Sequence, residues 1–504
     1  MKPALFLSIW LATLQLKAQP NIVLIISDDH AYQAISAYGS TLVQTPGIDR
    51  VAREGALFQK AYVANSICGP SRASILTGQY SHKNGFKDNR SVFNFNQNSF
   101  AKLLQGAGYQ TAWIGKMHLG DSIPQGFDYY SILPGQGAYY NPDFIQAGNK
   151  RKRYEGYVTN VITDVAEEWL NGRDQKKPFC LVIGHKATHR TWMPDIEDLG
   201  RFDTVNFEMP PTFYDDYATR RAAAVQDMSI AKTMRLGYDL KMYDQKDSAD
   251  GTLNVKRMSE TQRAAWSAYY QKIKNDFDRS DLRGNALTEW KYQRYMRDYL
   301  STAASLDRNI NRTLDYLDKN GLTQNTVVIY MSDQGFYMGE HGWFDKRFMY
   351  EPSFRTPMVM RYPGVIRPGT IVKDPVMNID IAPTFLELAK TKSSPGIQGK
   401  SFLDIVKGNG SPRPSGIYYH YYENGEHAVS PHFGIKTNRY KLIRFYDKVE
   451  SWELFDLEKD PEELNNIYRK PAAQALVKSL KAQLLVLIKK YDDKEAELIF
   501  KKPV

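Results

Sequence analysis

The chain has 504 residues, more than one hydrophobic core commonly serves, so one large and one small domain are expected. Its 42% hydrophobic and 24% charged residues exclude a disordered or fibrous chain. The net charge of +10 favours an anionic partner, yet without a long basic run or basic residues interleaved with aromatics it argues against nucleic acid.

At the start, Met1-Lys2, the apolar run Ala4 to Leu14 and Leu16-Lys17-Ala18 read as a secretory signal peptide over residues 1–18. The run is too short to span a bilayer, and no later segment is apolar and long enough to do so. An exported protein, periplasmic or secreted and without a membrane span, is expected, with a large domain over 19–395 and a C-terminal subdomain over 396–504. Export permits disulfides, but the only cysteines are Cys68 and Cys180. Cys180 lies inside the apolar run Phe179 to Ile183 and reads as a buried thiol.

Asn21 to Ile26 is a continuous apolar run with four β-branched residues, as in a strand buried on both faces of a parallel sheet. It stops at Ser27-Asp28-Asp29-His30. Residues Ser66 to Gly78 predict a helix that starts near Pro70 and ends at Gly78, with Cys68 at its positive end. Free backbone N–H groups there suit an anion, and Arg72 adds a planar fork for oxyanions. After a helical segment, Phe100 to Leu104, the run Thr111 to Ile114 ends in Gly115-Lys116-Met117-His118. Phe179 to Gly184 likewise ends in His185-Lys186-Ala187-Thr188-His189.

The tyrosine-rich, charged stretch from Trp192 to Trp290 is too long for a structureless loop and reads as helices and substrate-facing loops, with aromatics able to stack on sugars. From Met296 to Leu317, apolar residues recur at steps of three and four, a buried helix face closed by Gly321. The run Val327 to Met331 then stops at Ser332-Asp333-Gln334-Gly335. Ligands of open α/β sheets bind beyond the carboxyl ends of strands, so these four ends could form one site. The fold class is α/β: a large, mostly parallel sheet flanked by helices. The aspartates and the glutamine carbonyl are hard oxygen ligands, suited to calcium or magnesium. Asp380, in Asn-Ile-Asp-Ile-Ala-Pro-Thr, reads as a helix N-cap. From about residue 400, Gly416 to Tyr422, Phe433 to Lys436, Tyr440 to Phe445 and Glu453 to Leu457 predict a small antiparallel sheet, covered by a helix from Ala472 to Tyr491.

The sequence Cys68-Gly-Pro-Ser-Arg followed by Ala-Ser-Ile-Leu-Thr-Gly resembles the signature of type I sulfatases of the alkaline phosphatase superfamily. With the C-terminal Leu-Phe-Asp-Leu-Glu-Lys-Asp-Pro segment, the resemblance spans nearly the whole mature chain. It implies that Cys68 is oxidised to formylglycine, whose hydrate attacks sulfur, and that a formylglycine-generating or sulfatase-maturing enzyme is a partner. It implies one calcium ion held by Asp28, Asp29, Asp333, Gln334 and the modified Cys68, with Gln334 standing where the family more often has Asn or His. His118 matches the family's base and His189 its acid, while Arg72, Lys116 and Lys346 supply positive charge, with Arg347 as the rival of Lys346. His185 and Lys186 are expected to contact substrate, and His420, His427 and His432 to border the cleft. The segment His185-Lys-Ala-Thr-His-Arg190 and the cysteine motif look most similar to bacterial N-acetylglucosamine-6-O-sulfatases, which implies a sulfated glycan of heparan or mucin type as substrate. Two alternatives stay open here: a phosphonate or phosphate monoester hydrolase of the same superfamily, and a non-catalytic binder of sulfated glycans.

Overall fold

A computed structural model describes residues 19–120, 123–243, 255–410, 413 and 416–504; the segment 1–18, expected from the sequence to be a signal peptide, lies outside them. In chain order the large sheet is built from β1 (Asn21–Ser27), β2 (Ala56–Phe58), β3 (Gln110–Gly115), β4 (Tyr129–Ile132), β5 (Asp143–Gln146), β6 (Lys150–Arg153), β7 (Phe179–Gly184), β8 (Thr326–Ser332), β9 (Met358–Arg361) and β10 (Thr370–Val372). Their spatial order is β10-β2-β9-β8-β1-β7-β3-β4-β5-β6. The central pairs are parallel, with Leu24 beside both Val182 and Ile329, and Trp113 beside Val182. Antiparallel pairs come only outside that centre, where β9 joins β8 to β2 and where β5 joins β4 to β6.

The four strands whose ends stand out in the sequence are therefore consecutive neighbours: β8, β1, β7 and β3. Their continuous apolar character follows from burial on both faces. On one face, Ile22, Leu24 and Ile26 pack with α2 (Cys68–Thr77) and α3 (Phe100–Gly106) through Ile75, Leu76 and Leu104. On the other, Val23 and Ile25 pack with α4 (Val158–Gly172) and α5 (Gly284–Lys319) through Ile162, Leu306 and Ile310. Helix α5 starts twelve residues before the predicted Met296, because its first turns carry the polar sequence Gly284 to Lys291 rather than an apolar stripe.

The C-terminal part follows the predicted order: β11 (Gly416–Tyr421), β12 (His432–Thr437), β13 (Tyr440–Phe445) and β14 (Ser451–Asp456) form an antiparallel sheet. Helix α6 (Gln474–Tyr491) lays Val477, Leu480, Leu484 and Ile488 into the core that includes this sheet. By length and composition alone this helix could cross a bilayer. Val477, Leu480, Leu484, Leu487, Ile488 and Tyr491 form one buried face, while Val486 is 64% exposed, and Lys478, Lys481, Lys489 and Lys490 are spaced along its length.

Three sequence expectations change. Asp380 stands at a helix start but does not cap that helix with its side chain. Its oxygens accept from the Met377 and Lys400 amides and meet Arg413, tying three segments together. His432 lies in the core of the small sheet among Phe348, Tyr419 and Phe445, and both ring nitrogens are occupied: Nδ1 donates to Ser430 O and Nε2 accepts from Met349 N. Burial pushes its pKa down to about 3, so it packs as a neutral aromatic ring. His420 is also buried, between Asp493 (2.7 Å) and Tyr446 (2.9 Å).

Candidate active site

Cys68 is the first residue of α2, after extended Ile67, and every residue of this helix is buried. Gly69 lets the helix start come close to its neighbours: a Cβ there would lie 2.6 Å from the Phe86 ring and 2.9 Å from His118 O. Gly78 ends the helix in the left-handed conformation, as the sequence predicts. Among the described residues Cys68 and Cys180 are free thiols, so no bridge joins them.

Cys68, Asp29, His189 and Lys346 line one cleft of about 270 Å³, walled further by Arg190, Asp345, Arg347, Glu423 and His427. Atoms of Asp28, Asp29, Cys68 and His189 that could bind a metal all lie within 4.8 Å of one another. Lys346 Nζ sits 2.7 and 2.6 Å from the two oxygens of Asp29, whereas Arg347 turns to Glu423 at 2.5 Å. Geometry thus separates the two rivals. Lys116 contacts Asp28 and reaches Gln136 Oε1 at 2.5 Å.

Arg72 lies behind this floor. Its Nε donates to Asp333 (2.9 Å), and its terminal nitrogens donate to Lys116 O (2.8 Å) and Ser27 O (3.4 Å). One guanidinium thereby fastens the ends of β8, β3 and β1. His185 and Lys186 are buried and outside the cleft lining; Lys186 lies over the Tyr139 ring at 4.7 Å. His427 does line the cleft, with Nε2 2.9 Å from Asp345.

The carboxylates are crowded. Burial, reinforced by Asp28 and Asp333, pushes Asp29 up to about 7 against the pull of Lys346. Burial and Asp28 push Asp333 up to about 6. Burial opposes ionisation of Asp28 too, but Lys116, followed by His189, Arg72 and Lys346, holds it well below the usual range. Asp28 Oδ1 and Gln334 Oε1 are buried with no hydrogen-bond partner, while Gln334 Nε2 donates to Asp29. Unpaired buried oxygens beside carboxyls of raised pKa are the donor set that a hard divalent cation satisfies. Asp29, His118, Asp345 and Arg347 also hold φ at +62°, +57°, +87° and +97°, a region rare for non-glycine residues and often found at functional sites.

Gln136 was missed by sequence reasoning. Its amide must turn oxygen toward the Lys116 ammonium, so its nitrogen faces His118 Nε2 at 3.2 Å. A nitrogen that receives an N–H carries no proton, which leaves the His118 proton on Nδ1. Burial, then Lys116, holds His118 well below the usual histidine range. His189 is fixed in the complementary way: Nδ1 donates to Arg190 O (2.7 Å), and Nε2 lies 3.9 Å from Asp29. The predicted sugar platforms between residues 192 and 290 do not reach the cleft. Trp192 and Trp266 are fully buried, Trp290 packs on Phe277, and Phe336 is the aromatic residue in the cleft wall.

Residues 20–391 match the family model described as Sulfatase. The chain belongs to the sulfatase family. Residues 339–490 match a second model, N-sulphoglucosamine sulphohydrolase, C-terminal. This sulfatase, a sulfuric ester hydrolase, is 47% identical over 493 residues to an N-acetylglucosamine-6-O-sulfatase of Bacteroides thetaiotaomicron, covering 95% of this chain and 88% of that one. It superposes with a TM-score of 0.93 and 46% identity on a solved structure in complex with its substrate D-glucosamine-2-N,6-O-disulfate, covering 96% of this chain and 100% of that one. The phosphonate monoester hydrolase of Agrobacterium radiobacter shares the fold at TM-score 0.70 and 19% identity, covering 94% of this chain and 96% of that one. As a sulfatase, the chain leaves the monoesterase and non-catalytic alternatives behind.

Proposed function

We propose that this sulfatase is exported and removes the 6-O-sulfate of N-acetylglucosamine units in heparan- or mucin-type glycans, using formylglycine made from Cys68 and one calcium ion. The observation that carries the chemistry is the meeting of Cys68, Asp29, His189 and Lys346 on one cleft floor. The sugar is supported by the relative named for that activity at 47% identity and by the structure holding glucosamine-2-N,6-O-disulfate at 46%.

Asp28, Asp29, Asp333 and Gln334 would hold calcium, which supplies a Lewis acid toward a sulfate oxygen while the aldehyde hydrate supplies the nucleophile. Lys346 brings permanent charge to the cleft: although burial opposes it, the Asp29 carboxylate keeps its pKa well above the usual lysine value. His118 is neutral at neutral pH, and its Nε2, which receives the Gln136 N–H, is the nitrogen that can take a proton. Breaking the sulfur–oxygen bond to the sugar leaves an alkoxide. His189 is the proton donor in this reading: Nδ1–H is tied to Arg190 O, so Nε2 delivers a proton only from the imidazolium, a form that burial opposes and the Asp28 carboxylate favours.

Two measurements test this. Mass spectrometry of the Cys68 peptide from the native host should show the aldehyde, and an intact thiol in active enzyme would remove the proposed nucleophile. Assayed side by side, N-acetylglucosamine 6-sulfate should be turned over faster than N-sulfated glucosamine and other sulfated monosaccharides. A preference for any of those would overturn the sugar assignment.

A further inference from the structure

A second and larger cleft, of about 740 Å³, lies where the large domain meets the small sheet, and none of its lining residues lines the catalytic cleft. Its volume falls within the range of sites for small organic ligands. The charges facing it divide into two kinds. Three of its four carboxylates are engaged: Glu340 accepts from Gln33 and Met338 N, Glu351 meets Lys436 and Lys441, and Glu463 meets Lys441 and accepts from Glu351 N, while Glu462 has no side-chain partner among the described residues. Arg355 and Lys60 have no carboxylate or hydrogen-bond partner for their side chains among the described residues.

Arg355 is nonetheless held in place. Its guanidinium carbon lies over the Tyr32 ring, 4.1 Å from the centroid, with Tyr38 at 5.7 Å. A guanidinium held over an aromatic ring loses little freedom when its N–H fork takes up a carboxylate or sulfate ester. Beside it the cleft offers apolar wall from Pro210, Pro211 and Ile371, the last 48% exposed. A held guanidinium and a free ammonium next to apolar wall suit a sugar ring that bears an anionic group, since the C–H faces of the ring need a dry surface and the charge needs a fork.

We infer that the cleft between the large domain and the small sheet is a second glycan site, which takes an acidic sugar unit with its anionic group on Arg355 and Lys60. It goes beyond the catalytic reading, because binding there needs no sulfate ester at the nucleophile.

The test is calorimetric titration of the full-length protein with a tetrasaccharide of alternating hexuronate and N-acetylglucosamine that carries no sulfate. A neutral N-acetylglucosamine tetramer and inorganic sulfate serve as parallel probes. One acidic tetrasaccharide should bind per chain, with affinity about tenfold weaker in Arg355→Gln and in Lys60→Glu. Lys60→Glu keeps the assay informative if Arg355→Gln fails to fold, and it should leave turnover of N-acetylglucosamine 6-sulfate unchanged. Unaltered affinity in Lys60→Glu would place the ligand elsewhere and overturn the site. Equal binding of the neutral tetramer would remove the role of charge, and inorganic sulfate binding as tightly would remove the sugar. If monosaccharide turnover fails while the acidic tetrasaccharide binds, the catalytic reading falls and this one stands.

Discussion

Lys346 grips both carboxylate oxygens of Asp29, at 2.7 and 2.6 Å, although burial still pushes Asp29 up to about 7. Lys346, Lys116 and Arg72 each meet one of the three crowded carboxyl groups, yet burial still raises two of them. Calcium should therefore displace protons from Asp29 and Asp333, the latter raised to about 6. Affinity measured on chelator-stripped protein should rise about tenfold or more from pH 5.5 to 7.5. A flat pH dependence would mean that these carboxyls do not hold the metal.

Gln136 links Lys116 to His118 and is a positioning residue. In Gln136→Glu the new carboxylate would face His118 Nε2 and favour the imidazolium. The acid limb of the pH profile of kcat/KM should move up by about one pH unit. A uniform loss of rate with the limb unmoved would leave Gln136 a merely structural role.

His189 has only Nε2 available for the departing oxygen. His189→Ala should slow N-acetylglucosamine 6-sulfate by about a hundredfold or more, because a sugar alkoxide needs its proton. An aryl sulfate with an acidic phenol should lose far less. Equal losses on the two substrates would count against the proton-donor role.

Glu453 sits in the small sheet, its carboxyl accepting from Tyr350 Oη at 2.6 Å, and burial pushes it up to about 7. A carboxyl whose pKa is raised on folding stabilises the fold below its unfolded pKa, and that contribution is lost as pH rises through about 7. Wild type should thus lose up to about 3 kcal/mol of stability between pH 4.5 and 8 that Glu453→Gln does not lose. Denaturant unfolding of both proteins across this range checks it, and parallel pH curves would refute it.

Asp493 joins the small sheet to the single-turn helix Ser81–Asn84 that follows α2. Its carboxylate accepts from Tyr418 Oη (2.8 Å), Tyr422 Oη (3.0 Å) and Ala496 N (3.0 Å), and meets His420 at 2.7 Å and His82 at 3.1 Å. Asp493→Ala would strand several buried polar groups and should cost about 3 to 5 kcal/mol in thermal or denaturant unfolding. A loss below about 1 kcal/mol would show that the two parts are held together without it.

The ends of β1, β3, β7 and β8 were legible in the sequence because a strand buried on both faces is an unbroken apolar run, and charge directly after such a run has few places to go. Cys68 was legible through its family signature, since no pattern of polarity or spacing reveals a residue's covalent fate. Gln136, the Arg347–Glu423 pair and the second cleft were not legible. They stand on loops or meet across more than 70 residues of chain, where no periodicity records which side chains will touch. His432 and His427 look alike in sequence, five residues apart, yet one fills the small sheet's core and the other faces the catalytic cleft. Local hydrophobic pattern sets the strands and their order of use. Packing between distant segments decides which polar atoms are satisfied by protein and which are left free to meet a ligand.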